Sequence, residues 1–325
     1  MRENVWLPTW RRLTVLLLAL VACDAPPAPL AESPCESSQA ILGGTAARDE
    51  RWRAVGTIGF VNSSGVFLPM CSATLVTPLS ILTAKHCALA LMSRSPPTDL
   101  AFAVGENATE PDRRVGVLNV KFALPNEGGF TGRGSDVAVW RLRDELPGVV
   151  PLEIATQSLV SVSPGTRLLT IGYGAASVEE SRSGAYAWHR RAGVQTMRAA
   201  RGRLLEMIYG NPQNCRLDRS VARRHRPCGS PVIAMDCSAY DRTVLLDGYE
   251  AWAGGAEGDA QTCQGDSGGP LLIDSDGAMK IVGVTSWSWH SSNQRCDYGT
   301  VYAAIGDDVR EMTRQLRMDG LADTP

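Results

Sequence analysis

Lysine is nearly missing from this chain. Lys85, Lys121 and Lys280 are all there is, and the other basic residues are arginines. The formal net charge is only −2, so no strong field exists to draw a nucleic acid or an anionic membrane surface. Histidine is scarce as well: His86, His189, His225 and His290 are the four, and they do not cluster at ligand spacings. No histidine-built metal centre is expected from them. Beyond residue 23 no long apolar run occurs, so a spanning helix is not expected there. No internal repeat is visible. What remains is an ordinary globular composition, 44% hydrophobic.

The first residues read as a targeting segment. Arg11-Arg12 precede an apolar run from Leu13 to Ala22 that is short for a membrane span. Leu20-Val21-Ala22-Cys23 resembles a bacterial lipobox. Residues 1–22 are therefore expected to be a signal peptide, with Cys23 lipidated; the alternative is a plain secretory signal with an incidental cysteine. Residues 23–40 are rich in Pro, Ser and Ala and read as an extended tether or propeptide. Either signal takes the protein out of the cytoplasm, as an envelope lipoprotein or a secreted protein. Nine cysteines fit this reading. With Cys23 set aside for lipid, an even number is left for disulfides in an oxidising compartment.

From Trp52 the chain runs in short apolar pieces divided by turn residues. Ala54–Val61, Val66–Val76, Leu100–Val104, Val115–Phe122, Val137–Leu142, Thr166–Ile171, Leu271–Ile273 and Lys280–Ser286 are such pieces. They predict an all-β protein built from antiparallel barrels. At the end the period changes: Ile305, Val309, Met312 and Leu316 follow Gly306-Asp307-Asp308. That is an amphipathic C-terminal helix with acidic residues at its positive end. Residues from about 175 to 250 read as an Arg-rich insertion, densest from His189 to Arg226. An exosite for an acidic partner is one reading. A solvated loop is the one favoured here, since charge runs are usually solvated faces.

Chemistry concentrates around Thr262-Cys263-Gln264-Gly265-Asp266-Ser267-Gly268-Gly269-Pro270. A serine in so Gly-rich a run sits on a tight turn, where backbone N–H groups can converge on an oxyanion. Its hydroxyl needs a base. His86 ends the apolar piece Ser80-Ile81-Leu82-Thr83-Ala84-Lys85-His86-Cys87, and Asp136 opens Asp136-Val137-Ala138-Val139-Trp140-Arg141-Leu142. A buried carboxylate that orients the imidazole completes a triad in the order His, Asp, Ser.

These three motifs, with Ile41-Leu42-Gly43-Gly44-Thr45, Gly172-Tyr173-Gly174 and Thr285-Ser286-Trp287, resemble the trypsin-like (chymotrypsin-family) serine proteases. The resemblance runs in family order over nearly all of residues 41–305. It implies two six-stranded antiparallel β-barrels with a C-terminal helix, occupying residues 41–325. It implies a serine endopeptidase acting on polypeptides, with His86, Asp136 and Ser267 as the triad and Gly265 and Ser267 as the oxyanion hole. Ser286 corresponds to a serine that bonds the triad aspartate. The freed N-terminus of Ile41 would pair with Asp266. Gln261, Ser286, Trp287, Ser288 and Thr300 would line the substrate cleft. Gln261 stands where trypsin has an aspartate, and Ser288 and Thr300 stand at usual glycines, so cleavage after small apolar residues is expected; a polar residue bonded to the Gln261 amide is the alternative. The bond after Ala40 would then suit the enzyme itself.

The resemblance also implies disulfides Cys71–Cys87 and Cys263–Cys296. Two further family bridges look absent. Leu168 and Ile273 fill the places of one, and Trp252 stands where a partner for Cys237 is expected. Cys35, Cys215, Cys228 and Cys237 remain, with three possible pairings. A Cys35 bond to any of the other three would keep the cut enzyme on its anchor. Gly105-Glu106-Asn107 resembles the start of a calcium loop, but the later acidic ligands are not evident, so no metal and no cofactor is expected. Lys85 departs from the family's usual Ala, and its charge must find solvent or a partner. A monomer is expected. The rival reading is a catalytically silent binding protein on the same fold.

Overall fold

The computed structural model describes residues 41–123, 135–224, 237–289 and 296–322. The leader, Cys23, the tether with Cys35, His225, Cys228 and His290 lie outside the described residues. The first strand is the short β1 (Thr45–Ala46). It is followed by β2 (Val55–Val61), β3 (Phe67–Thr77), β4 (Ser80–Thr83), helix α1 (Lys85–Met92), β5 (Leu100–Val104), β6 (Arg113–Phe122) and β7 (Ala138–Leu142). These six strands, β2 to β7, close on themselves in the order β2-β3-β4-β7-β6-β5, all antiparallel. The apolar pieces read from the sequence fall in them. Ile58, Leu75, Ile81, Phe102, Val139 and Trp140 are fully buried, and such burial is the main stabilisation a barrel has.

The second barrel begins with β8 (Arg167–Gly172) and β9 (Arg191–Ala199), joined through helix α2 (Val178–Ser183). After β9 come the two-residue β10 (Gly202–Arg203), helices α3 (Leu204–Tyr209) and α4 (Pro212–Arg224), and β11 (Val244–Leu245). Then follow β12 (Glu250–Ala253), β13 (Pro270–Ser275), β14 (Ala278–Ser288) and β15 (Thr300–Ala304). The ring runs β9-β12-β15-β14-β13-β8 and closes through β8–β9 pairing, with β1 added on β9. Both predicted six-stranded barrels are therefore present. The chain ends in α5 (Asp307–Ala322), with Asp307 and Asp308 in its first turn. Among the described residues no helix is long and apolar enough to cross a membrane.

The Arg-rich stretch differs from the solvated loop expected. Arg191–Ala199 is a barrel strand, and Gln195 and Met197 face its interior. The period is masked because the strand opens on Arg191, carries Arg198 at an exposed position and has the polar Gln195 facing inward. Its amide is satisfied: Tyr302 Oη donates to Gln195 Oε1 at 2.7 Å, and Gln195 Nε2 donates to Ala260 O at 3.0 Å. A buried amide so bonded does not incur the desolvation penalty that otherwise excludes it. The real addition is the α3–α4 unit. It packs Leu205, Tyr209 and Cys215 against Tyr240 and Trp289. Cys215 is bonded to Cys237, which selects that pairing for both; the expected Cys71–Cys87 and Cys263–Cys296 bridges are also formed.

Candidate active site

The cleft lies between the barrels. The first supplies an imidazole and the carboxylate that orients it. Strand β4 runs directly into α1, and Ala84 provides no side-chain cap for that helix. Asp136, entering β7 beside it, takes over that role. His86 N donates to Asp136 Oδ1 at 2.9 Å, and Lys85 N donates to Asp136 O at 3.3 Å. A helix's first N–H groups lack partners of their own, and a carboxylate there meets both need and dipole. The other oxygen faces the imidazole: His86 Nδ1 is 2.8 Å from Asp136 Oδ2, and Ser286 Oγ donates to the same oxygen at 2.6 Å. Burial alone would raise the Asp136 carboxyl. The hydrogen bond and charge of His86, with the Ser286 hydroxyl and the His86 N–H, hold it below the usual carboxylate range. Its partner ring is a quarter exposed and faces the cleft.

The second barrel supplies the hydroxyl and the donors. Gly265 has φ +96°, a conformation open to glycine and strained for other residues. The Gly265 and Ser267 N–H groups have no hydrogen-bond partner among the described residues. Their directions are nevertheless fixed. Ala175 N donates to Gln264 O at 2.7 Å and Gly269 N donates to Asp266 O at 2.9 Å. In a trans peptide the N–H points opposite the carbonyl, so both bonds turn the next residue's N–H the other way. Ser72, a residue the sequence did not single out, staples this loop to the first barrel. Its N donates to Ser267 O and its Oγ donates to Gly265 O, each at 2.9 Å. Among the described residues Ser267 Oγ has no partner within hydrogen-bond distance, and His86 Nε2 has the Cys87 sulfur at 3.4 Å. Such bonds are often long until substrate tightens them.

Beneath the loop lies Asp266, 1% exposed. Gly174 N and Cys263 N each donate to it at 2.8 Å. No side-chain cation pairs with it among the described residues. Desolvation therefore prevails over those two donors, and its pKa is pushed up to about 7. The Gly172-Tyr173-Gly174 motif exists to admit this carboxyl: a Cβ on Gly174 would lie 2.6 Å from Asp266 N and 2.7 Å from its Cγ. Ile41 is fully buried, with φ +47°, and Leu42 bridges Gln261 through Gln261 N to Leu42 O at 2.9 Å.

Of the residues expected to line a substrate cleft, Ser288 and Thr300 meet through one that was missed, Thr262, while Ser286 bonds Asp136. Thr262 Oγ1 lies 2.5 Å from Thr300 Oγ1 and 3.4 Å from Ser288 Oγ. Thr262 and Thr300 are both buried. Gln261 Nε2 donates to Asp259 O at 3.3 Å, while its buried Oε1 has no partner among the described residues. Attention to the neighbour of Gln261 would have found Thr262. Lys85 finds its partner inward: it is buried, and Nζ donates to Ala123 O at 3.1 Å. Burial lowers its pKa, opposed by the charges of Asp136 and Asp308. Glu106 of the calcium-like turn pairs with Arg48 at 3.7 Å. Cys71, His86 and Cys87 are grouped closely enough for a metal, but both sulfurs are already in a disulfide.

The sequence matches known proteins along the same lines. The family model described as Trypsin matches residues 41–198 and 209–307. The chain is 27% identical over 280 residues to the venom plasminogen activator Haly-PA of Gloydius brevicauda, covering 84% of this chain and 86% of that protein. It is 26% identical over 252 residues to a trypsin of Saccharopolyspora erythraea, covering 77% and 87%. With both barrels closed and this family match spanning them, the chain belongs to the trypsin family of serine proteases.

Proposed function

We propose that this protein is an exported serine endopeptidase that uses Ser267 as nucleophile, His86 as general base and acid, and Asp136 to orient and stabilise the imidazolium. The observation that carries the reading is the relay from Ser286 through Asp136 to His86, with the Ser267 loop and its two unused N–H donors packed on the strand end that leads into His86. His86 takes the Ser267 proton as Oγ attacks the carbonyl, and the oxyanion receives the Gly265 and Ser267 N–H groups. His86 then gives that proton to the leaving amine. Water repeats the sequence on the acyl-enzyme. A fluorophosphonate probe tests this: labelling of the processed protein is expected, with none in Ser267→Ala. An unlabelled processed protein beside a labelled control protease would favour the silent binding protein instead.

The specificity reading follows from the pocket. The Thr262–Thr300 contact and Ser288 narrow it, and Gln261 offers no buried anion to a cationic side chain. Cleavage after Ala or Val is expected. A peptide library in which Arg or Lys is the best cleavage residue would refute this.

Activation and anchoring belong to the same reading. Cutting after Ala40 would give Ile41 an ammonium for Asp266, and the enzyme's own pocket suits Ala40. With Cys215 bonded to Cys237, Cys228 is the partner left for Cys35, so a cut enzyme on a Cys23 lipid would stay attached through that bond. Release from membranes without a reductant would sink the tether.

A further inference from the structure

Trp188 is one of three non-glycine residues at positive φ among those described, at +52°. A bulky side chain there is a genuine outlier. Such strain persists only where the surroundings over-determine it. Here the surroundings are the calcium-like turn of the first barrel. Ala108 N donates to Trp188 O at 2.9 Å, Arg190 N donates to Glu106 O at 2.8 Å, and Asn107 bridges His189. The turn itself is tied down, since its Gly105 O accepts the Tyr173 hydroxyl at 2.5 Å. Arg190, buried beside it, donates Nε to Ala47 O at 2.9 Å.

What the strain achieves is contact with the oxyanion loop. A Cβ placed on Gly265 would meet Gly174 Cα at 2.7 Å and, beside it, Trp188 Cζ3 at 3.3 Å and Cη2 at 3.4 Å. The indole therefore lies against the Gly265 α-carbon. Tyr186 braces the indole edge-on, with centroids 5.4 Å apart, and itself packs by the Cys263–Cys296 bridge. Gly265 needs such support. A glycine at φ +96° has little of its own to resist rotation of the adjoining peptides, and a rotation there would turn its N–H out of the cleft. The bond from Ala175 N to Gln264 O holds one side of that peptide. The indole occupies the space on the other residue.

We propose that Trp188 is a positioning residue for the Gly265 donor, pressed onto that glycine by the 105–108 turn of the first barrel. This rests on the protease reading above. The calcium-like turn then acts through hydrogen bonds to residues 188–190, where a family relative would hold an ion.

The test uses processed full-length protein with Trp188→Ala, Trp188→Leu and Trp188→Phe. Steady-state hydrolysis of a peptide amide with Ala at the cleaved position is measured, with inhibition by the matching peptide aldehyde, whose adduct carries an oxyanion. Losing an oxyanion donor outright costs ~10²–10³ in kcat; a loosened donor should cost Trp188→Ala ~10-fold, with KM within ~2-fold. Aldehyde affinity should fall by the same factor. Trp188→Phe should recover most of the loss, with Trp188→Leu between. Thermal melting checks folding, and if the alanine variant does not fold the leucine variant carries the test. Unchanged kcat in the folded variants overturns the proposal, as does a raised KM at unchanged kcat, which would make Trp188 a wall for substrate. A parent protein that fluorophosphonate does not label defeats the protease reading and this inference with it. A labelled parent with variants labelled equally fast defeats this inference alone.

Discussion

Asp136 and Asp266 are both buried carboxyls of the cleft, 5% and 1% exposed. Each accepts backbone N–H groups. Asp136 also has an imidazole and a hydroxyl on its second oxygen, and its pKa is held low. Asp266 has only its two amides, and its pKa is pushed up to about 7. At Asp266 two amide donors do not offset the desolvation of the charge, whereas at Asp136 the imidazole and the hydroxyl added to the amide do. The imidazole half of the candidate site therefore has its hydrogen bonds in place, while the serine half stands above a carboxyl that lacks a cation among the described residues.

The comparison can be broken at several places. The largest effect is expected at Asp136→Asn, which keeps the shape but favours the wrong imidazole tautomer; kcat should fall by ~10⁴ with folding intact. Steady-state assays and a melting curve measure this, and a variant as active as the parent would remove Asp136 from the relay. Next is Asp266→Asn. In the cut protein it should cost ~3–5 kcal/mol by leaving a buried ammonium unpaired. In uncut protein, prepared as Ser267→Ala, it should leave stability at pH 8 unchanged or raised. Equal losses in both forms would mean that Asp266 does not wait for a charge.

pH sharpens the same contrast. The folded pKa of Asp266 lies above its unfolded value, so folded protein holds the extra proton. Its contribution to the stability of uncut protein is fully present below about pH 4 and is lost as pH rises to 7, by up to ~4 kcal/mol at ~1.4 kcal/mol per pH unit. Asp136 has a lowered pKa and slopes the other way, contributing above its unfolded value and losing that as pH falls. Denaturant melts of uncut protein with and without Asp266→Asn isolate the first slope. A flat difference from pH 4 to 8 would contradict it. The smallest effect is expected for Ser286→Ala, which removes one bond to a charged oxygen; a loss of ~1.5–3 kcal/mol in kcat/KM is expected, shared between orientation and charge. No loss would leave His86 sufficient to hold Asp136.

Much of this was legible in the sequence, for identifiable reasons. Runs such as Leu100–Val104 and Val137–Leu142 are apolar because they are buried, and they fell in strands. His86, Asp136 and Ser267 stand in local runs that carry their own signal, and the fold brings His86, Asp136 and Ser286 into hydrogen-bond contact. Arg191–Ala199 was hidden because it opens on an arginine, carries another at an exposed position and has a glutamine facing inward. Ser72 and Trp188 were not legible at all. Each acts on a loop far along the chain, Ser72 at a separation of 193 residues from Gly265, and no local pattern records such a meeting. The Cys215–Cys237 pairing was equally a matter of where α4 lies.

The φ of +47° at Ile41 has a consequence for the direction of time in this molecule. A β-branched residue held there stores strain of ~1–3 kcal/mol. That torsion is defined by the carbonyl carbon of Ala40, so hydrolysis of the Ala40–Ile41 bond abolishes it along with the bond. On the proposed activation, the same cut would create the cation that Asp266 lacks among the described residues. To reseal the chain, a molecule would have to re-impose the torsion and strip away the new charge together. Such a cut would work as a ratchet: each molecule that had passed it would keep a permanent record of having done so.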